Sequence, residues 1–232
     1  MKKINFLPVI FILLFLSAAN PQTTLPEDDV QFWNDTQISF PLIKSKDRKG
    51  KSFDRLSFSL LGTFRAGKNI SRPIDERIGF GFDYTINKYV GFSPSYIYRA
   101  GQPVVGRKEF EHRIRFDLNL EKKWKAFSIR DRNRVEYRIR HSRSDTVRYR
   151  NRFQLRIPVK KDDKELFTPF VSTEPFYDFA SKTWFRNELS AGINRKLTGK
   201  ASADFFYLWQ RNRGNILKNV NVIGVNLKFT VD

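Results

Sequence analysis

The amino-acid sequence predicts an all-β protein, an antiparallel up-and-down transmembrane β-barrel of about 10–12 strands. Three observations support this prediction. Apolar and polar side chains alternate with a period of two along most of the chain, which is typical of strands with two unlike faces. The alternating segments reach the roughly 9–11 residues that a strand needs to cross the hydrocarbon layer of a membrane. The chain also begins with a short apolar segment of the kind that directs secretion.

Residues 1–19 have the features of a secretory signal peptide. Two lysines precede an apolar run, 4–16, and the small residues 17–19 follow it. We expect cleavage after about Ala19, with an uncleaved anchor as the alternative. The run is short for a transmembrane helix and contains Pro8. No long apolar stretch follows, so the mature chain is predicted to be either soluble or a closed β-barrel.

The predicted strands follow one another along the rest of the chain. A polar N-terminal segment, 20–29, precedes one predicted barrel domain, 30–232. The alternating segments are 31–42, 56–66, 78–86, 90–98, 110–120, 130–140, 147–159, 166–177, 185–193, 201–209 and 221–231. The first of these is the least regular. Because single-chain bacterial barrels normally have an even number of strands, we expect ten if 31–42 lies outside the barrel. If one strand has been missed, we expect twelve, which is favoured.

Polar connections of two lengths separate the predicted strands. The longer ones are 67–75, 100–108, 179–183 and 211–219, with shorter ones between them. The segment 141–146 is an exception, because it is short where a long connection is expected. Alternating lengths are typical of an up-and-down barrel. We therefore expect one rim with tight turns and one rim with loops.

Arginines at alternate positions form the most regular pattern in the sequence. RDRNRVEYRIR, residues 130–140, carries five of them at even positions, and 147–159 carries four more. In a membrane barrel the apolar face of each strand contacts lipid and the polar face lines the lumen. The arginines predicted to line the lumen are Arg130, Arg132, Arg134, Arg138, Arg140, Arg148, Arg150, Arg152 and Arg156. Buried guanidinium groups without partners would cost several kcal/mol each, so carboxylates are expected on the same face.

Carboxylates at alternate positions are predicted to pair with these arginines. The predicted partners are Glu109, Glu111, Asp117, Glu136, Glu174 and Glu188, with Asp83 and Asp204 as further inward carboxylates. The predicted register places residues opposite one another when their numbers sum to 249. The opposite-charge pairs in this register are Glu109–Arg140, Glu111–Arg138, Arg113–Glu136 and Asp117–Arg132. Each cross-strand pair contributes about 0.2–1 kcal/mol. We interpret the lumen as a ladder of salt bridges, with passage or binding of anions as the alternative.

Composition restricts the partners and the chemistry. The net charge of +19 and the pI of about 10.2 indicate an anionic partner or surface. Nucleic acid is not expected as a partner, because the predicted signal peptide removes the chain from it. The predicted partners are outer-membrane lipids, the barrel assembly machinery during biogenesis, and a small anionic solute whose identity the sequence does not reveal. The chain has no cysteine, which excludes disulfides, thiolate zinc sites and cysteine nucleophiles.

The two histidines, His112 and His141, are predicted to have no catalytic role. A barrel hydrolase needs a histidine and a serine on one face of a strand, which means a spacing of two. Ser142 is adjacent to His141, and Arg143 stands where the serine would be needed. The residue two positions after His112 is Ile114, and His112 is expected on the outer face. No enzymatic activity is therefore predicted.

Two other local patterns are interpreted as structural. Adjacent aspartates at 28–29 and 162–163 are predicted to lie in solvated turns, because no frame of further calcium ligands accompanies them. Gly79 and Gly81 alternate with phenylalanines in one predicted strand. We interpret them as small inward residues that give room inside a barrel. The sequence predicts no metal site and no cofactor.

Several segments together resemble a known family, the bacterial DUF2490 family. They are FWNDTQISF, GFGFDYTINKYVGFSPSYIYR, EHRIRFDLNL, RNRVEYRIR, VRYRNRFQLRIPV and LFTPFVSTEPF. The resemblance extends over most of residues 30–231. It implies an outer-membrane β-barrel fold and location. It implies no established activity, so no functional residue is assigned from it.

The predicted function is that of a non-enzymatic barrel in the bacterial outer membrane with a salt-bridged, arginine-rich lumen. Barrels of this size are largely filled by side chains, which argues against a wide channel. The first alternative is a small anion-selective pore or a binder of acidic lipid or polysaccharide. The second is a secreted soluble β-barrel that binds an anionic ligand. The soluble alternative requires the apolar faces of the strands to point inward.

Overall fold

A computed structural model describes residues 28–231, apart from 48, 49, 105, 142, 163, 215 and 216. The predicted signal peptide, 1–19, and its cleavage site lie outside the described residues. The described chain consists of strands and the turns between them. No helix in this part of the chain is long and apolar enough to cross a membrane.

Each of the eleven predicted segments coincides with a strand over most of its length. The strands are β1 (Asp28–Lys46), β2 (Ser52–Gly67), β3 (Arg72–Thr85), β4 (Val90–Val104), β5 (Arg107–Lys123), β6 (Ser128–Arg140), β7 (Thr146–Arg156), β8 (Val159–Lys161), β9 (Lys164–Asp178), β10 (Thr183–Lys196), β11 (Ala201–Asn212) and β12 (Asn219–Thr230). The irregular segment 31–42 is part of β1, which begins two residues before the predicted domain boundary. The segment 147–159 is interrupted after Arg156, where Pro158 lacks the N–H group that a ladder requires.

Eleven strands form a closed barrel, which confirms the predicted all-β barrel fold. Around the barrel, β1 to β7 are followed by β9 to β12, and β8 pairs only with β9 in a short hairpin. All neighbours are antiparallel except β12 and β1, which are parallel from Asp28↔Asn219 to Ser39↔Thr230. The expected even number of barrel strands is therefore wrong. A parallel ladder satisfies the backbone groups of both end strands, so closure does not require an even count.

The odd strand count places the two ends of the barrel at opposite rims. We call the rim where β1 begins the N-terminal rim and the rim where β12 ends the C-terminal rim. Connections at the N-terminal rim are 68–71, 105–106, 141–145, 179–182 and 213–218. Connections at the C-terminal rim are 47–51, 86–89, 124–127, 197–200 and the β7–β9 segment that contains β8.

Both rims carry short connections, so the predicted alternation of loops and tight turns is wrong. The predicted loop 67–75 reduces to four residues between β2 and β3. In the predicted loop 100–108, β4 extends to Val104 and β5 begins at Arg107. Polar side chains on both faces do not end a strand when the neighbouring strand continues to supply backbone hydrogen bonds. Much of the polar stretches 67–75 and 100–108 therefore belongs to strands and not to loops.

The two faces of the barrel wall differ sharply in polarity. Apolar side chains on the outer face are exposed, with Ile78 at 69% as the extreme. Outer aromatic rings contact one another across strands, such as Phe58 with Phe80 and Phe82. Most inward carboxylates and arginines are buried or half-buried, and Glu174 is only 1% exposed. This arrangement is the reverse of a soluble protein and is that of a transmembrane barrel.

Inward glycines allow neighbouring strands and rings to approach closely. An alanine Cβ at position 79 would lie 2.2 Å from the carbonyl oxygen of Tyr96 in β4. At position 192 it would lie 2.3 Å from the carbonyl oxygen of Phe205 and 2.8 Å from the ring of Phe170. The space beside these glycines is already occupied by neighbouring residues. They permit close packing rather than leave room in the lumen.

We predict that Gly79→Ala and Gly192→Ala each lower the free energy of unfolding by about 1–3 kcal/mol. The added methyl group would press on backbone that belongs to a rigid ladder. Urea unfolding in detergent micelles measures the effect. Gly199→Ala in the 197–200 turn is the matched control, because a Cβ there meets no atom within 4 Å. Equal stability of all three variants would contradict the prediction.

Candidate functional site

Two arginine-bearing strands, β6 and β7, lie side by side in the barrel wall. Their register places Arg132 opposite Arg152 and Arg134 opposite Arg150. Like charges directly opposite one another are unfavourable. A negatively charged group is therefore required next to these arginines in the lumen.

Glu174 of β9 supplies that charge. One of its oxygens accepts hydrogen bonds from Arg132 at 2.8 Å and from Arg150 at 2.9 Å. Its other oxygen is bound by Arg152. Three guanidinium groups thus converge on one carboxylate that is almost completely buried. Charged hydrogen bonds of this kind are stronger than neutral ones. Glu174 therefore holds three arginines of two neighbouring strands together in the middle of the lumen.

A second network fills the lumen toward the N-terminal rim. Asp75 accepts a hydrogen bond from Arg99 at 2.8 Å, and Arg99 also contacts Glu111 at 3.2 Å. Glu111 is bound in addition by Arg113 at 2.7 Å and by both Nε and Nη2 of Arg138. All five side chains are less than one-tenth exposed. The network links β3, β4, β5 and β6 through side chains alone.

The predicted register between β5 and β6 is wrong by two residues. Glu111 lies opposite Arg140 and Asp117 opposite Arg134, so the residue numbers sum to 251. The four-residue turn 124–127 fixes this register, because the N–H of Trp124 donates to the carbonyl oxygen of Phe127 at 2.8 Å. Turn geometry outweighs cross-strand charge pairs of about 0.2–1 kcal/mol.

Long side chains nevertheless form two of the four predicted ion pairs along the diagonal. These are Arg138–Glu111 and Arg113–Glu136. The other two predicted pairs are replaced. Asp117 is bound by both Nε and Nη2 of Arg134 at 2.6 Å, and Glu109 contacts Arg143 and Arg99. Arg140 lies at the N-terminal rim and donates to the carbonyl oxygen of Ser144.

The structure also places the remaining predicted lumen residues. Those that line or fill the lumen are Arg130, Arg148, Arg156, Glu188 and Asp204, together with the network members above. Arg148 pairs with Asp178, which the sequence analysis did not single out. Further lumen residues that it missed are Asp35, Arg65, Asp75, Arg77, Arg99 and Lys228. Within its own strand, each of these residues has an odd or even number that matches the other inward residues. This alternation in the sequence could have revealed them.

The C-terminal half of the lumen contains a cavity of about 270 Å³, here called the basic chamber. Its wall presents ten cationic side chains and five carboxylates, with serine hydroxyls between them. The cations are Arg65, Arg77, Arg115, Arg130, Arg132, Arg134, Arg150, Arg152, Arg156 and Lys228, and the carboxylates are Asp35, Asp83, Asp117, Glu188 and Asp204. The excess of positive charge makes the chamber attractive to anions.

Packed side chains occupy much of the N-terminal half of the lumen, and Trp33 and Leu208 among them also border the basic chamber. On one wall, the apolar side chains of Trp33, Leu208, Val220 and Val222 pack together across β11, β12 and β1. On the other wall stands the ion network around Glu111. These side chains are all less than one-tenth exposed. The described barrel is therefore asymmetric, with a polar cavity toward one rim and tightly packed side chains toward the other.

The histidines lie away from the lumen. His112 is on the outer face of β5 between two tyrosines, and its Nδ1 is 2.6 Å from the hydroxyl of Tyr96. Its ring centroid is 5.4 Å from that of Tyr98. His141 is exposed in the 141–145 turn, and Ser142 lies outside the described residues.

One of the aspartate pairs does not lie in a solvated turn. Asp29 is a buried residue of β1, and it accepts hydrogen bonds from Gln31 at 2.8 Å and from the backbone N–H of Asn69 at 2.9 Å. It therefore anchors the 68–71 turn, and the solvated interpretation is wrong for this residue. Asp163 lies outside the described residues. In the part of the chain that the structure describes, no group of three histidine or acidic side chains could hold a metal ion.

Comparison with known proteins gives one decisive match. The model of the family described as "Protein of unknown function (DUF2490)" matches residues 30–221. The chain belongs to the DUF2490 family. The matched range includes nearly the whole barrel, from β1 into β12, and so agrees with the resemblance in the sequence.

Two solved structures are similar to parts of this chain. LpxR from Salmonella typhimurium is 8% identical over 76% of this chain and 83% of its own, with a TM-score of 0.46. An anion-selective porin from Comamonas acidovorans is 11% identical over 78% of this chain and 59% of its own, with a TM-score of 0.37. No curated protein matches the sequence significantly.

Proposed function

We propose that this DUF2490 protein is a non-enzymatic integral barrel of the bacterial outer membrane whose lumen is closed by ion pairs. The outer face supports the membrane location. Exposed apolar side chains occur on every strand of the barrel wall, for example Phe116 on β5, Val171 on β9 and Ile223 on β12. Such a band matches the hydrocarbon layer of a bilayer, and the closed ladder leaves no unpaired edge within it.

The sealed N-terminal half is the observation that carries the proposal of a closed lumen. A pore needs a continuous hydrated path, with charged side chains that water can reach. Here Glu111, Arg113, Glu136 and Arg138 occupy the lumen between β5 and β6 with at most 6% exposure. The alternative of a small anion-selective pore is therefore less well supported than a closed barrel.

The soluble alternative conflicts with the direction of the side chains. It requires the odd-numbered apolar residues of 147–159 to point inward. Phe153 is instead 44% exposed, whereas Arg150 reaches the buried Glu174. A soluble barrel with this surface would expose a continuous apolar band, which is an aggregation hazard.

The absence of an enzymatic role is part of the proposal. His112 faces outward with tyrosines as its neighbours, and His141 lies in an exposed turn. Several buried carboxylates of the lumen, such as Glu111, Asp117 and Glu174, are held by guanidinium groups. General acid–base catalysis needs a group that can exchange a proton near neutral pH, and fully paired carboxylates do not suit that role.

Biogenesis follows from the same proposal. We infer that the signal peptide is cleaved after about Ala19 and that the barrel assembly machinery inserts the chain. Outer-membrane lipids would then be the main surrounding partners. Neither a nucleic acid nor a cofactor has a place in this scheme.

Fractionation and conductance measurements test the proposed function together. We expect the mature protein in the outer-membrane fraction, with a gel mobility that changes when the sample is heated. In planar bilayers the folded protein should show no stable conductance steps, in contrast to a porin measured alongside. Recovery as a soluble periplasmic protein would contradict the membrane location. Stable anion-selective steps would contradict the closed lumen.

A further inference from the structure

The charges of the basic chamber are not all neutralised by the chain itself. Arg134 binds Asp117 with both Nε and Nη2, and Arg132, Arg150 and Arg152 share Glu174. The charges of these arginines are therefore already balanced by carboxylates of the barrel. Other cations of the chamber are available to a ligand.

Three cations near the C-terminal rim lack a close carboxylate partner, and we call them the cationic triad. Arg130 donates to a neutral amide, Oδ1 of Asn119, at 2.9 Å. Arg156 donates to Oε1 of Gln154 at 3.0 Å, and its nearest carboxylate oxygen is 3.9 Å away. The side chain of Lys228 forms no ion pair or hydrogen bond within the described parts of the chain. In an interior site, such charges are costly unless a counter-charge is supplied.

The triad lies at the C-terminal end of the chamber. Arg130 is the third residue of β6, Arg156 is the last residue of β7, and Lys228 is two residues before the end of β12. All three therefore lie beside the C-terminal rim, and all three line the chamber. Lys228 is exposed to the chamber and the two arginines are half-buried. A ligand can therefore reach the triad from that rim.

The three cations act on one another electrostatically. The charges that bear on Lys228 include Arg130, Arg156 and Arg132, with Asp204 as the opposing carboxylate. Asp204 is itself bound by the side-chain amide of Asn194 at 2.6 Å. The triad faces two carboxylates, because Glu121 lies opposite Arg130 in the β5–β6 ladder and also acts on it. Three positive charges still exceed these two negative charges, and a phosphate or phosphate monoester anion would offset the excess.

We propose that the basic chamber binds a small phosphate dianion, either inorganic phosphate or a compact phosphate monoester, at Arg130, Arg156 and Lys228. Planar guanidinium groups suit the oxygens of phosphate, and lysine adds a point charge. Neutral amides of Asn119 and Gln154 hold the two arginines in place. The chamber volume of about 270 Å³ is near the lower limit for ligand pockets. A small ligand therefore fits better than a polysaccharide or a whole phospholipid.

This binding site goes beyond the proposed function and is independent of it. A closed outer-membrane barrel could leave its chamber filled with water alone. Conversely, a conducting barrel could still hold phosphate at the triad. Conductance results and binding results therefore separate the two proposals.

Isothermal titration calorimetry of the folded mature protein in zwitterionic detergent tests the inference, with inorganic phosphate as the probe. We expect saturable binding at one site. Arg130→Gln and Lys228→Met should each weaken it about tenfold or more, since each removes a charge-assisted contact. Lys125→Met, in the exposed 124–127 turn, is the control and should bind like the unaltered protein. Sulfate should compete with phosphate, whereas chloride at equal ionic strength should not.

A second readout separates ligand binding from a structural role. In phosphate-free buffer, Arg130→Gln and Lys228→Met should not lower the unfolding temperature, because each removes a repelled cation. Added phosphate should raise the unfolding temperature of the unaltered protein by mass action and should raise that of both variants less. Glycerol 3-phosphate binding as tightly as inorganic phosphate would assign the site to monoesters, and weaker binding would assign it to the free ion. Absence of phosphate binding, or equal binding by all variants, would overturn the inference.

Discussion

Replacing Glu174 by glutamine is expected to lower the free energy of unfolding by about 3–5 kcal/mol, the cost of breaking a buried ion pair from one side. Glutamine keeps the shape of the side chain and removes its charge. Arg132, Arg150 and Arg152 would then face one another without the counter-charge that the buried Glu174 supplies. Urea unfolding in detergent micelles, followed by the heat-modifiable gel band, measures the loss.

Two controls make this prediction specific to the Glu174 site. Glu165→Gln removes the partner of Lys196 in an exposed pair at the C-terminal rim, where the expected loss is about 0–1 kcal/mol. The double variant Glu174→Gln with Arg152→Met should recover part of the stability, because it also removes one of the uncompensated cations. If Glu174→Gln and Glu165→Gln cost the same, the ion pairs at Glu174 contribute little to the fold.

Alternation in the sequence was sufficient to locate every strand of the barrel wall. Period-two patterns over 147–159 and 201–209 are local, and each strand exposes one face to lipid and one to the lumen. The same patterns also separate Arg150, which reaches Glu174, from Phe153, which faces outward. Because lipid and lumen impose opposite requirements on adjacent residues, the direction of a side chain can be read from its parity.

Features that depend on contacts between distant strands could not be read in this way. The parallel pairing of β1 with β12 joins residues about 190 positions apart, as in Asn34↔Val225, and no local pattern encodes it. The β5–β6 register failed for a different reason. It was inferred from charge pairs, yet arginine side chains are long enough to reach Glu111 from a diagonal position, so several registers satisfy the same charges. The tight turn 124–127 was the better guide.

The parallel closure leads to a topological prediction with an all-or-none outcome. β1 begins at the N-terminal rim and β12 ends at the C-terminal rim, so the two ends should lie on opposite sides of the membrane. In an even-stranded antiparallel barrel both ends would lie on the same side. The chain has no cysteine, so single cysteines can be introduced without background. Asp28→Cys and Val231→Cys mark the two ends of the barrel.

We expect a membrane-impermeant maleimide to label one of these cysteines in intact cells, and the other only after the outer membrane is permeabilised. Ser181→Cys in the 179–182 turn and Lys125→Cys in the 124–127 turn serve as rim markers. Asp28→Cys should react like Ser181→Cys, and Val231→Cys like Lys125→Cys. This pairing holds whichever rim faces the cell exterior. If Asp28→Cys and Val231→Cys react from the same side, the strand count is even and the parallel closure is wrong. If they react from opposite sides, the labelled rim markers also reveal whether the C-terminal rim, beside which the cationic triad lies, faces the periplasm or the exterior.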